Sequence, residues 1–172
     1  NVEQWLMKKP DQYMVDTIDV RGDSWKNHDF SKYDVVFHVA GIVHQKEKKN
    51  MKDLYMKVNC DLTIELAQKA KSQGVSQFIF MSTMAVYGNN NEVIDKETPL
   101  KPNTFYGKSK LNAEVRLEKL FEDRKNDLLI IRPPMIYGKN CLGNYTLLRN
   151  IMLKIPFFIN IQNKRSMLYI LN

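Results

Sequence analysis

The sequence predicts an α/β fold, a doubly wound parallel sheet with helices on both faces. Three observations predict it. Short apolar, β-branched runs, "DVVFHVAG" (34–41), "SQFIFMST" (76–83) and "DLLIIR" (127–132), read as strands buried on both faces. Stretches with helical spacing lie between them, so strand and helix alternate. Small and polar residues collect just after the strands, in "VAG", "MSTMAVYG" and "RPPMIYG", where sheets of this kind bind ligands. Right-handed crossovers through such elements build a Rossmann-like, three-layer α/β/α arrangement.

The elements follow in order. "NVEQWLMKK" reads as the middle of an amphipathic helix, with Val2, Trp5, Leu6 and Lys9 on adjacent turns and no N-cap. "DQY" turns the chain, "YMVDTIDV" (13–20) reads as a strand, and "RGDSWKNHDFSKY" as a polar loop with room for a short helix. After strand 34–41, the lysine-rich "HQKEKKNMK" (44–52) leads to a helix over 51–73. Its Leu54, Val58, Leu62, Leu66 and Ala70 fall four apart and mark the expected buried face, and Gly74 is the expected cap. Strand 76–83 and the turn-rich loop "NNNEVIDKETPLKPN" precede a helix over 105–124, with Leu111, Val115, Leu117, Leu120 and Phe121 on one side. Strand 127–132 ends at "PP"; a helix over 144–154 and a strand near 166–171 close the chain. The first segment lacks a cap and the last stops inside a strand, so the sequence predicts a fragment truncated at both ends.

Composition narrows the function. At 172 residues the chain has the length of one domain, and 44% apolar residues suffice for a core. No apolar run approaches the ~20 residues that span a bilayer, and no charged start leads into an apolar stretch. Cys60 and Cys141 lie far apart with no metal-ligand spacing, which fits a reduced, cytoplasmic setting. The net charge of +7 favours anionic partners. The lysines are spread, without the aromatic interleaving of single-strand binders, so neither nucleic acid nor membrane is expected as a partner. His38 alternates into a buried strand and His44 sits in a polar loop. Neither has a metal-spaced partner, so both read as structural and no metal site is expected.

The chemistry gathers in "NTFYGKSKLNAEVRLEKL" (103–120). Tyr106 and Lys110 are four apart and share a helix face. A phenol titrates near ~10, and a nearby ammonium lowers that value, so the pair can move a proton to or from a hydroxyl or carbonyl oxygen. Thr83, at a strand end, can hold the same oxygen.

"FIFMSTMAVYG" followed by "PLKPNTFYGKSKLNAE" resembles the extended short-chain dehydrogenase/reductase superfamily, and more closely the NAD-dependent nucleotide-sugar epimerase/dehydratase family. The resemblance implies Tyr106 as general acid/base, Lys110 as the group that lowers its pKa and binds the nicotinamide ribose, and Thr83 as the substrate-orienting hydroxyl, with Ser82 a second candidate for that place. "FHVAG" resembles the strand end whose Ala40 and Gly41 admit the dinucleotide, and "YMKVNCDLTIELAQKA" the helix whose Asn59 supports the cofactor site. In "IIRPPMIYG", Pro133, Pro134 and Met135 would border nicotinamide and sugar, as would Met84. Asn144 in "CLGNYTLL" and Arg165 in "NKRSMLYI" would meet the nucleotide diphosphate. Asp19 and Val20 would lie at the adenosine end. An acidic residue there favours NAD, while Arg21 suits a 2′-phosphate, so NADP stays open.

The resemblance divides the chain into a dinucleotide-binding part, residues 1–140, and the start of a substrate region, residues 141–172. It implies a nucleotide sugar, a UDP-sugar by the closest bacterial branch, as substrate, with 4-epimerase, 4-keto-sugar reductase and dehydratase chemistry all represented. The family often dimerises through a four-helix bundle, which would take in residues 51–73 and 105–124. A dinucleotide sensor or scaffold on the same fold is the non-catalytic alternative. The glycine-rich phosphate loop is missing from these 172 residues, so they are expected to bind NAD poorly and not to turn over alone.

Overall fold

The computed structural model describes residues 11–43, 49–88, 93–138, 149–154 and 166–169. The three apolar runs form parallel strands, β1 (Val35–His38), β2 (Gln77–Met81) and β3 (Leu128–Ile131), side by side in that order. His38 pairs with Phe80, and Met81 with Ile131, so the strands end level and the segments after them leave from one edge.

Parallel neighbours need helical crossovers. The first is α1 (Lys52–Met56), a wider π turn (Lys57–Asp61) and α2 (Leu62–Ser72), closing at Gly74. The second is α3 (Phe105–Leu120). It starts where Thr104, the N-cap, accepts a 3.0 Å bond from the Gly107 N–H. The two crossovers pack against each other and against β2. Leu66, Ala67 and Ala70 of α2 meet Ala113, Leu117 and Phe121 over Phe78 and Phe80. Alternation leaves Ile79 and Met81 half-buried on the opposite face of β2. The architecture is a Rossmann-like α/β fold, with one helical layer seen among the described residues.

Four expectations need correction. Residues 13–20 have no regular secondary structure and join no ladder with any described strand; Met14 is fully exposed, while Ile18 and Val20 pack on the core. The polar loop that follows is partly core, because Trp25, in a short 3-10 helix (Ser24–Asn27), and Phe30 are buried in the same cluster. In the first crossover the buried row is Tyr55, Asn59, Cys60, Thr63, Ile64, Leu66, Ala67 and Ala70, while Leu54 is exposed. A row stepping strictly by four drifts around a helix of 3.6 residues per turn, by about 40° each step, so its two ends cannot share one face: Leu66 and Ala70 reach the core and Leu54 does not. In α3 the expected Val115 is 57% exposed for the same reason of phase.

The final strand is β5 (Met167–Tyr169), and it pairs in parallel with β4 (Met135–Tyr137), a segment to which the sequence assigns no element. Three residues between prolines and a glycine are too few to show a period. Of the helix expected over 144–154, residues 149–152 are helical. The opening helix, residues 1–9, lies outside the described residues.

Candidate active site

The site is built at the level strand ends. Thr83 follows β2 and caps a 3-10 helix (Met84–Tyr87), its hydroxyl oxygen accepting from the Ala85 N–H at 3.1 Å. The first turn of α3 packs directly on this segment. Gly107 makes that approach possible, since a Cβ there would lie 2.7 Å from the Ala85 carbonyl oxygen. The packing brings Tyr106 to Thr83, and their side chains hydrogen-bond. The expected pair is therefore assembled from two elements 23 positions apart in the chain.

Tyr106 is mostly buried, and burial raises its phenol above the ordinary value. The bond from Thr83 pulls it down, and buried Tyr55 of α1 adds to the rise. Lys110 is 3% exposed. Its Nζ donates to the Met81 carbonyl at 2.8 Å and lies 4.5 Å from the centre of the Phe80 ring. Burial pushes Lys110 down to about 8, with the Glu114 carboxylate pulling the other way. Here the expectation that Lys110 lowers the Tyr106 pKa is corrected. The phenol moves up, because desolvation dominates and the ammonium is engaged by the strand end.

Asn59 sits in the π turn, a distortion that recurs at functional sites. Its Oδ1 accepts from the Ile42 N–H at 2.7 Å, and its Nδ2 donates to the Ile42 carbonyl at 3.0 Å and to Ser109 Oγ at 3.2 Å. Ser109 in turn donates to the Tyr106 carbonyl at 2.8 Å. Asn59 thus ties the segment after β1 to the helix that carries Tyr106. A Cβ on Gly41 would meet Asn59 Oδ1 at 2.9 Å and Lys110 Nζ at 3.6 Å, so bare backbone, with Ala40 beside it, fronts the lysine.

Ser82 does not share the place of Thr83. It is buried, and its hydroxyl donates to Glu114 Oε1 in a very short bond. Glu114 is also held by Arg132, with Nη2 to Oε2 at 2.6 Å and Nε to both oxygens at 3.1 and 3.2 Å. Arg132 Nη1 donates to Tyr87 Oη at 2.8 Å. The sequence reading missed Glu114, Arg132 and Tyr87 as a unit. One signal was available: Glu114 continues the face of Tyr106 and Lys110 by another four residues, and a lone carboxylate on a buried face needs a cation.

Other expected residues stand apart. Asp19 is exposed, and its carboxylate is held down at about 2 by side-chain and backbone bonds from Arg21. Val20 packs on the core. His38 is buried with Nε2 2.9 Å from Thr63 Oγ1, and desolvation lowers it to about 3, a structural histidine as expected. Met84, Pro133, Pro134 and Met135 are half-buried at the strand-end edge. His44, Asn144 and Arg165 lie outside the described residues. No helix among the described residues is long and apolar enough to cross a membrane.

A parallel sheet with a Thr–Tyr–Lys group over its strand ends is the arrangement of short-chain dehydrogenase-type proteins. Comparison places the chain within that class: residues 7–170 match the model of the NAD dependent epimerase/dehydratase family, and the chain belongs to that family. It is 36% identical over 146 residues to a UDP-glucose 4-epimerase of Vibrio cholerae, covering 80% of this chain and 44% of that one. It is 33% identical over 136 residues to an N-acetyl-alpha-D-glucosaminyl-diphospho-ditrans,octacis-undecaprenol 4-epimerase of Escherichia coli O157:H7, covering 77% of this chain and 40% of that one. Among solved structures, the UDP-glucuronic acid 4-epimerase from Bacillus cereus in complex with NAD aligns with a TM-score of 0.62 at 26% identity, over 75% of this chain and 43% of that one. The chain thus spans less than half the length of these relatives.

Proposed function

We propose that the protein is an NAD(P)-dependent nucleotide-sugar 4-epimerase acting on a UDP-hexose, with residues 1–140 holding the dinucleotide and residues 141–172 beginning the sugar-nucleotide region. The single observation that carries this reading is the hydrogen-bonded Thr83–Tyr106 pair one helical turn from buried Lys110, set over level strand ends. The 4-epimerases among the relatives support the substrate class.

The residues present fit the nicotinamide half of the cofactor. Asn59 Oδ1, 2.9 Å from a would-be Cβ on Gly41, leaves no room for a side chain there, so a ribose beside the lysine would meet bare backbone, with Lys110 Nζ 3.6 Å from the same point. Bound NAD supplies hydride exchange with the sugar carbon. The protein's own residues handle the proton. Thr83 would hold the sugar oxygen, and Tyr106 would take the hydroxyl proton only as phenolate; because burial favours the neutral phenol, this half of the cycle is expected to speed up as pH rises, while on return the phenol gives the proton to the carbonyl oxygen. Burial shields this exchange from water and fixes the donor geometry beforehand. A second reading, 4-keto-sugar reductase, draws support from the raised Tyr106 phenol, since a phenol kept protonated is the form that donates to a carbonyl oxygen.

Tyr106→Phe in the full-length protein is expected to keep cofactor binding and to lose turnover of UDP-hexoses by about a hundredfold or more. Unchanged turnover would remove the mechanism. We further propose a cytoplasmic homodimer through residues 51–73 and 105–124. Leu54 and Val115, 44% and 57% exposed on those helices, supply apolar surface for it.

A further inference from the structure

Glu114 has no part in the proton transfer described above, yet it is the most deeply placed carboxylate in the described structure, with its side chain 1% exposed. A buried carboxylate is costly unless it is paired and fully hydrogen-bonded. Here the carboxylate has two direct partners and, behind one of them, a third group, each from a different place. Ser82 belongs to the segment after β2, Arg132 to the residue after β3, and Tyr87, through Arg132, to the end of the 3-10 helix. Glu114 itself belongs to α3, four residues beyond Lys110 and eight beyond Tyr106. One carboxylate thus fastens the helix of the Tyr–Lys pair to the loop that carries Thr83.

We propose that Glu114, clamped by Arg132, is a positioning residue for the proton-transfer group: it fixes Thr83 opposite Tyr106 through its neighbour Ser82 and supplies the negative charge that keeps Lys110 an ammonium in its buried place. The inference rests on the functional reading of Tyr106, Lys110 and Thr83 given above. Its geometric half is the short Ser82 bond next to Thr83, on a strand end whose Met81 carbonyl also receives Lys110.

Its electrostatic half follows from what surrounds Lys110. On its own helix stand Tyr106 and Glu114. From β1 comes His38, held neutral by burial. From β2 come the Met81 carbonyl and the Phe80 ring. From the π turn comes the uncharged Asn59 amide, near the would-be Gly41 Cβ that also nears the lysine, while Tyr55 of α1 acts on Tyr106. Arg132 stands behind Glu114 and partly neutralises it. Glu114 is the negative charge in this set, and it is the group that opposes desolvation of the lysine.

The test uses the full-length protein with isotope-labelled lysine side chains, so that Lys110 is titrated directly by NMR, assigned with Lys110→Arg. Three measurements are compared across variants: the Lys110 titration, the melting temperature, and the pH profile of UDP-hexose turnover. In Glu114→Gln, Lys110 is expected to titrate lower by about one pH unit, with the turnover profile moving alongside it. The double variant Glu114→Gln/Arg132→Met also removes the Arg132 charge that Glu114→Gln alone would leave without its carboxylate. It is expected to regain melting temperature without regaining the wild-type lysine titration or turnover. A merely structural role predicts the opposite, recovery of activity together with stability, and that result would overturn the proposal. So would an unchanged Lys110 titration in folded Glu114→Gln. If Glu114→Gln does not fold, the double variant carries the same titration test. Turnover retained in Tyr106→Phe would instead sink the functional reading, and the lysine titration, which needs no turnover, would still decide the electrostatic part played by Glu114.

Discussion

Lys110 shows at the scale of one residue how a site is maintained against the interest of the fold. Its folded-state value of about 8 lies below the ordinary 10.5 because desolvation disfavours the ammonium. The unfolded chain therefore binds the proton more readily between those two values. Stability is full above about pH 10.5, falls as pH drops towards 8, and stays at the lower level through neutrality. The charged lysine costs the fold roughly 3 kcal/mol at pH 7. Lys110→Met, of similar length and without the charge, is expected to raise the melting temperature while abolishing turnover. A lower melting temperature would mean that the bond to the Met81 carbonyl outweighs desolvation. The shared helix face of Tyr106 and Lys110 and the strand-end place of Thr83 were legible in the sequence, because spacing and the end of an apolar run carry them. The direction of the Tyr106 shift was not, since burial is a property of packing that spacing cannot report.

Elements decide whether those residues meet. The first turn of α3 lies against the 3-10 helix Met84–Tyr87 only because position 107 has no side chain. Gly107→Val would put carbon where the Ala85 carbonyl oxygen stands, and backbone cannot step aside cheaply. We expect a loss of about 2–4 kcal/mol from overpacking, and the Thr83–Tyr106 bond to break. A variant with wild-type melting temperature would show that the loop yields. Thr104→Ala removes the cap of the same helix and is expected to cost about 1 kcal/mol in urea unfolding. The three buried strands were legible as apolar runs bounded by small residues. Segment 13–20 was misread because its alternation is that of a strand, while a strand exists only with a neighbour to share its hydrogen bonds. The helix before β2 was placed correctly but its inner face was only partly read: of the apolar residues four apart, Leu66 and Ala70 meet the core and Leu54 lies off it. Tyr55, Asn59 and Thr63 form much of its inner row, and polar residues give no hydrophobic signal.

For the whole molecule the acid limb of stability is set in the core. His38 lies buried beside Phe78 and Phe80, bonded to Thr63, and is lowered from 6.5 to about 3. Above about pH 6.5 it is neutral in both folded and unfolded chains and contributes no pH dependence. As pH falls from 6.5 towards 3, only the unfolded chain takes up the proton, so stability is progressively lost, by up to about 5 kcal/mol. Urea unfolding at pH 7 and pH 4 should differ by a large part of this amount, and His38→Phe should flatten the difference. An equal slope in the variant would assign the acid sensitivity to carboxylates elsewhere. The α/β class itself was the most legible feature of all, because alternation of strand and helix is written at a scale that single misread segments do not disturb.

The π turn at Lys57–Asp61 has a consequence for the history of this helix. A π turn is an α-helix with one residue too many, absorbed locally while the flanks keep their orientation. Asn59 and Cys60 are both buried within it. An insertion here would thus have added an inward amide without disturbing what lay on either side. Reversing it, by deleting Val58, should leave a more regular helix and a fold at least as stable. The Ile42 amide hydrogen, now held by Asn59, should then exchange with solvent far faster, as the segment facing Lys110 comes loose from its tether.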